Sequence, residues 1–416
     1  MKKKLKMALG KVVIGQDFWD REEDKALLIN KLDEGAHVLL VAQRRMGKTS
    51  LMAEVAESLA ERYICLFVDL QKCQNSSDAI VELSLRIKPY TNLWNKTKGV
   101  FGNVLTTVAG SVESIQLGEL GVTLRSGLNQ GNWADKGNQL LEILAETEKP
   151  VVILMDEVAL MVNNMLKDEN HNVTAEGKRQ TNEFMSWLRK NSIKHQGKIH
   201  IVISGSIGLE PVLHQARLSA TINNFVPLEL KAWDSKTAAE CIEALSNQYG
   251  INLEDGVTEE MVEKLGCCIP HHVQMFFTHI HDLCVKRKQM VCLIKDVEEV
   301  YKNEMLGVRG HVELTHYEER LEKILPKESC ALALDMLTEA AVTGYLSSKA
   351  ISAFRKEYPL EGRDVVEVQK EILWVLEHDG YLEASDEGYV FVSKLLRDWW
   401  INRYKRFYPP VLKRRV

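Results

Sequence analysis

The segment AQRRMGKTS, Ala42 to Ser50, constrains this chain more than any other. It follows the apolar run HVLLVA from His37 and leads straight into a helical pattern extending from about Lys48 to Arg62. A buried strand that turns through glycine into a helix aims backbone N–H groups and the positive helix end at one point, which favours an anion there. Gly47 permits close backbone approach, Lys48 adds a cation and Thr49 adds a hydroxyl. Ala42 stands where such loops usually carry glycine, and its methyl group narrows the backbone's choices.

Further apolar runs repeat the strand signal: YICLFVDL from Tyr63, VVILMDE from Val151, KIHIVISGS from Lys198 and FVPLEL from Phe225. Each is short and apolar nearly throughout, as strands covered on both faces are. Helical patterns separate them, which predicts an α/β fold with a parallel sheet. In that setting the loop predicts a P-loop for ATP with Mg²⁺. Gln43, Arg44, Arg45, Met46, Gly47, Lys48, Thr49 and Ser50 are the predicted cradle, with Lys48 on the β- and γ-phosphates and Thr49 on the metal.

VVILMDE ends in adjacent carboxylates at the carboxyl end of a strand, where ligands bind in open α/β sheets. Asp156 is the predicted second Mg²⁺-side residue and Glu157 the predicted general base. Two acids after a core strand are otherwise merely solvated. Paired with the loop, they point to hydrolysis rather than binding alone. Ser204 and Ser206, at the end of the next strand, are candidates for sensing the γ-phosphate, and serine is equally an ordinary turn residue.

A length of 416 residues implies two or three domains. The strand-rich part predicts a core over 1–233, with a glycine-rich insertion at 95–132 ending in SVESIQLGELGVTLRSG, which alternates like a hairpin. After Trp233 the strands stop, and DSKTAAECIEALSNQYG, TEEMVEKLG and a helix near Pro270 predict a helical lid over 234–310. Residues 311–416 read as three helices, two short strands joined at Asp386-Glu387-Gly388, and a last helix, the order of a winged helix.

Net charge of −5 gives the whole molecule no attraction for nucleic acid. The third helix of the C-terminal unit carries Glu367, Glu371, Glu377 and Asp379 against Arg363 and Lys370, which would repel phosphate. The tail differs, grouping Arg403, Lys405, Arg406, Lys413, Arg414 and Arg415 with Tyr404, Phe407 and Tyr408, either a nucleic-acid contact or a solvated tail. No apolar run is long enough to cross a bilayer. The N-terminus MKKKLKMALGKVVIGQ lacks the apolar stretch of a signal peptide, and the scattered cysteines suit reduced thiols, so a cytoplasmic protein is expected. CCIPHH, with His279, His281, Cys284 and Cys292, crowds soft ligands together, but neighbouring residues on one helix cannot all converge on one zinc ion.

Taken together, FWDREED (Phe18 to Asp24), AQRRMGKTSL, LMDEVA, SGSIGL, CCIPHHVQ and LLRDWW (Leu395 to Trp400) resemble the archaeal-type ATPase group of the AAA+/STAND P-loop NTPases, related to origin-recognition ATPases. The resemblance spans nearly the whole chain, with Ala42 and the Cys267-Cys268 pair departing from the group's usual glycines. It implies a nucleotide-driven conformational switch, with Phe18, Asp20 and Arg21 near the adenine and His271 and His272 in the lid. It allows both a monomeric switch and a nucleotide-driven ring, with Arg189 or Arg217 as candidate fingers acting in trans, and an unidentified protein partner is expected. The alternatives are an ATP-gated DNA-binding or DNA-loading factor, and a nucleotide-dependent scaffold in a defence or signalling assembly.

Overall fold

The computed structural model describes residues 5–102, 117–358 and 364–414. At its centre is a parallel sheet of β1 (His37–Val41), β2 (Ile64–Asp69), β3 (Val151–Asp156), β4 (Ile199–Ser204) and β5 (Phe225–Glu229), in the order β2-β3-β4-β1-β5. Every strand falls on an apolar run seen in the sequence. The faces divide by the two-residue strand period: Val151, Ile153 and Met155 enter one core, Val152 and Leu154 the other. β3 and β4 are buried at every residue.

The edge strands differ from the expectation of full cover. Leu66 and Val68 of β2 and Phe225 and Leu228 of β5 are buried, while Asp69, Val226, Pro227 and Glu229 are exposed. Proline lacks the N–H that a further neighbour would need, so Pro227 suits an edge.

The expected hairpin is corrected where the structure describes it. Leu117–Ser126 is a helix, and residues 111–116 of the reading lie outside the described residues. Leu120 and Leu124, one helical turn apart, are fully buried. Arg125 ties the helix to Ser76–Ile87 through Asp78 at 3.0 Å and Glu82 at 3.1 Å. Tertiary burial of the four-residue leucine spacing overrides the local alternation.

Beyond Trp233 come helices Ser235–Tyr249, Val257–Leu265 and Pro270–Arg287, as expected, then Ile294–Val300. Short strands β6 (Asn252–Leu253) and β7 (Val291–Cys292) pair in parallel within this unit. A linker helix, Val308–Ile324, spans the 310/311 boundary read from the sequence. It leads to helices Lys327–Thr343, Ser348–Glu357 and Val365–His378, the antiparallel strands β8 (Leu382–Ser385) and β9 (Gly388–Phe391), and helix Lys394–Tyr404. One apolar core runs from Trp233 through the lid to Trp400 and Val411, and takes in Leu5.

The third helix of the C-terminal unit faces the sheet domain. Trp374 meets His214 of helix Leu209–Gln215 edge-on, with ring centroids 4.6 Å apart. A Cβ added at Gly208 would lie 2.4 Å from His378 Nδ1, so the approach requires glycine there. Of the basic tail, Arg403 pairs with Glu318 at 3.0 Å, and Arg414 pairs with Asp335 and Glu357 and lies over the Tyr408 ring. Lys405, Arg406 and Lys413 are exposed, and Arg415 lies outside the described residues.

Candidate functional site

β1, β3 and β4 end side by side, and their carboxyl ends carry the P-loop, Asp156-Glu157 and the Ser204–Gly208 turn. Between them and the lid is a cavity of about 460 Å³, within the roughly 300–1,000 Å³ of small-molecule sites. Arg44, Arg45, Met46, Gly47, Lys48, Thr49 and Ser50 line it, as do Asp156, Glu157 and Ser206. Gln43 and Ser204 stand outside the lining.

The loop is built as its sequence dictates. Gly47 takes φ 93° at the start of helix Lys48–Leu59, a conformation open to glycine. Ala42 is not among the residues at positive φ, so the missing first glycine carries no backbone strain. Lys48 Nζ donates to the carbonyl oxygens of Ala42 at 2.7 Å and Gln43 at 2.9 Å. Burial, then the nearby Arg320, pushes its pKa down to about 8 against the opposing pull of Glu157 and Asp156.

Asp156 accepts from Thr49 Oγ1 at 2.7 Å, Ser204 Oγ at 2.5 Å and its neighbour's amide, Glu157 N, at 3.0 Å. The Thr49 hydroxyl and Asp156 carboxylate thus offer adjacent hard oxygen donors, which fit Mg²⁺ completed by water and phosphate. Glu157 adopts left-handed backbone at φ 61°, the kind of local strain found at functional sites. Its Oε2 accepts from Ser206 N at 3.0 Å and Ser206 Oγ at 2.8 Å. Ser206 therefore holds the carboxylate, and Ser204 holds Asp156, where the sequence reading aimed both at a phosphate.

Arg45 joins three parts of the chain. It pairs with Glu313 of the linker helix at 3.1 Å and donates to His316, while His271 of the lid meets Glu313 at 3.1 Å. Burial, followed by the arginines, pushes His271 to about 3 and His316 to about 2; burial, then His271, takes His272 to about 3, so all three are neutral at pH 7. His271 lines the cavity and His272 is fully enclosed. At the other end, Phe18, Trp19, Trp233 and Pro270 line the wall. Arg21 lines it too, donating to Lys231 O at 2.7 Å and Met46 O at 3.3 Å, while Asp20 does not. Arg189, which donates to Ala220 O, and Arg217 lie outside the lining.

Two groups of lining residues escaped the sequence reading. Ala8, Gly10, Lys11, Val12 and Val13 strap the cavity, with Ala8 N bonded to Gln274 Oε1 in the lid and Val13 N to Ser50 Oγ. His316, Glu319, Arg320 and Lys323 come from the linker helix. No local pattern marks either group.

Comparison with solved structures decides the architecture. The chain superimposes on the Walker-type ATPase PABY2304 of Pyrococcus abyssi with a TM-score of 0.60 and 17% identity, over 96% of this chain and 99% of that one. The chain has the Walker-type ATPase fold. The Aeropyrum pernix ORC2 protein, in ADPNP–ADP complexes, is similar with a TM-score of 0.52 and 14% identity, over 93% of each chain. No protein-family model matches the sequence, and no curated protein does. The AAA+ and origin-recognition resemblance read from the motifs is thus borne out at the level of fold. Among the described residues, no helix is long and apolar enough to cross a membrane.

His378 marks where the C-terminal unit meets the site. Its Nε2 is 3.1 Å from Glu210 Oε2 and its Nδ1 is 3.7 Å from Asp379 Oδ1. Burial lowers its pKa, but the two carboxylates outweigh burial and push it up to about 9. Protonated His378 therefore favours the docked unit, fully below its ordinary pKa and no longer once pH rises through about 9. The stability advantage of wild type over His378→Gln, on the order of 1–3 kcal/mol near pH 6, is expected to vanish by about pH 10 in paired thermal melts.

Proposed function

We propose that this chain is an ATP-binding, ATP-hydrolysing conformational switch of the AAA+/STAND type. One observation carries the reading: the P-loop lysine, the Thr49–Asp156 pair and the Ser206-held Glu157 line a single cavity that the lid and linker helix also wall. The P-loop amides and Lys48 would bind the phosphates and Arg44 adds positive charge, while Phe18, Trp19 and Pro270 supply apolar surface for a base. Thr49 and Asp156 would hold Mg²⁺, which neutralises phosphate charge when bound. Glu157 would take the proton of the attacking water, held in position by Ser206.

The switch follows from what touches the catalytic turns. Asp379 accepts from Gly208 N at 3.1 Å, and a Cβ on Gly380 would lie 1.9 Å from the Gln43 side chain. The C-terminal unit thus rests on both the P-loop and the β4 turn. Nucleotide at the cavity would bias lid and C-terminal unit between two arrangements, and hydrolysis would reset them. A protein partner fits this reading better than DNA. The third helix, acidic and turned toward helix Leu209–Gln215, is poorly placed to read a groove, and two of the tail arginines are engaged in ion pairs. A cytoplasmic setting and nucleotide-dependent oligomers accord with a switch of this kind.

The test is steady-state ATP turnover by the purified chain with and without duplex DNA. Slow turnover that DNA leaves unchanged within about two-fold is expected, against the large salt-dependent effects of phosphate binding. Turnover that rises ten-fold or more with DNA, and falls again at high salt, would transfer the reading to a DNA-loading factor. Tight nucleotide binding without turnover would leave a scaffold.

A further inference from the structure

The tail that follows helix Lys394–Tyr404 is fastened to the C-terminal unit rather than loose in solvent. Tyr408 Oη lies 3.0 Å from Glu339 Oε2 and 3.1 Å from Asp335 O. The Val411 amide donates to the same Glu339 oxygen at 2.9 Å, and the Val411 side chain is buried. Arg414 pairs with Asp335 at 3.2 Å and with Glu357, its guanidinium lying over the rings of Tyr408 and Phe354. Between these anchors Pro409 and Pro410 restrict the backbone further. Asp335, Glu339 and Glu357 are thus all engaged by the tail, which has no acidic residue of its own over 405–414.

What the anchors leave facing outward is cationic and apolar. Lys405, Arg406 and Lys413 are exposed, and so are Lys349 and Lys356 of helix Ser348–Glu357, on which the turn Val411–Lys413 packs. None of them forms an ion pair among the described residues. Phe407 is 87% exposed and directly follows Arg406, while Leu412 is 57% exposed and directly precedes Lys413. Single exposed apolar side chains are ordinary on protein surfaces. Here each is held out by an anchored neighbour, Tyr408 or Val411, beside a cation with no carboxylate partner. The chain as a whole carries −5, so this face opposes the balance of the molecule.

We propose that the tail and helix Ser348–Glu357 form a docking face for an anionic membrane surface. Each cation brought close to such a surface strengthens binding by about five-fold at physiological salt. Phe407 and Leu412 then leave water for the boundary between headgroups and acyl chains. Leu412 separates this occupant from a nucleic acid. Phosphates would satisfy the cations and an unpaired base would stack on Phe407, but neither gives an aliphatic side chain a place to be buried. A few cations and two apolar side chains fall short of a permanent anchor, so attachment is peripheral and reversible. Docking through this face does not require the ATPase chemistry of the cavity.

The experiment is co-sedimentation of the full chain with vesicles of phosphatidylcholine alone, or with about one quarter phosphatidylserine, at physiological salt. Binding to the anionic vesicles is expected to be at least about ten-fold tighter than to the neutral ones, and to fall as salt rises. Lys405→Gln combined with Arg406→Gln should weaken it by about 25-fold, at roughly five-fold per charge. Phe407→Ala should weaken it by about 5- to 10-fold. Because that ring is 87% exposed, its melting temperature should stay at the wild-type value. Equal binding of both vesicle types, or binding of neither, overturns the proposal. Vesicle binding indifferent to Phe407→Ala overturns it too, since charge attraction alone would then suffice. Duplex or single-stranded DNA that strips the chain from anionic vesicles at matched phosphate would assign the face to a nucleic acid instead.

Discussion

Glu157→Gln is expected to lower ATP turnover by about 10²- to 10⁴-fold, the usual contribution of a positioned general base, while leaving nucleotide bound. Glutamine keeps an acceptor for the two Ser206 hydrogen bonds and tolerates the left-handed backbone no worse than glutamate. Only the proton-accepting capacity is lost, so chemistry separates from folding. Lys48→Ala should remove binding itself. The folded apo protein is expected to be no less stable for it at pH 7, because Lys48, with its pKa pushed down to about 8, is a buried cation that the fold carries at a cost. What disappears is stabilisation by ligand, which for wild type amounts to about 2.7 kcal/mol at a hundred-fold excess of nucleotide over Kd. Paired melts with and without MgADPNP, alongside phosphate release, read both effects. Turnover that survives in the double variant would sink the proposed hydrolysis.

The largest stability effect is expected at Trp400, far from the cavity. Its ring is fully buried, 5.5 Å from Trp399, 5.6 Å from Tyr404 and 6.1 Å from Phe391, and its Nε1 donates to Thr338 Oγ1 at 3.0 Å. Trp400→Ala removes that contact surface and leaves a cavity, at a cost of about 3–5 kcal/mol. The freed Thr338 hydroxyl keeps its bond to Leu334 O, so little is added there. Because one apolar core joins lid and C-terminal unit, both should melt together and earlier, by on the order of 10 °C. Trp400→Phe should cost roughly half as much, since it retains an aromatic ring but not the hydrogen bond. A drop below about 2 °C for alanine would show that the lid and C-terminal unit do not share this core.

The strands, the loop and the acid pair were legible because their physics is local. A run such as HVLLVA is apolar on every residue after His37 since both faces are covered, and the loop's chemistry lies in consecutive residues. Helix Val365–His378 was readable for a similar reason, as were the turn and strands that follow it. Where local pattern and tertiary burial disagreed, burial prevailed: Leu117–Ser126 became a helix because Leu120 and Leu124 found a neighbouring helix to pack on.

By itself, the sequence determined the α/β class, the strand order along the chain, and the candidate residues Lys48, Thr49, Asp156 and Glu157. Only the tertiary structure decided which residues share their cavity. Arg320 and Asp379 stand 59 positions apart, counting 379 − 320, and neither carries a motif. They meet at 3.2 Å because the linker helix is capped by Asn163 and Lys167 while the third C-terminal helix packs on Leu209–Gln215. Such a meeting depends on how separate apolar faces are buried together, and burial of that kind is set by the whole fold rather than by any stretch of residues.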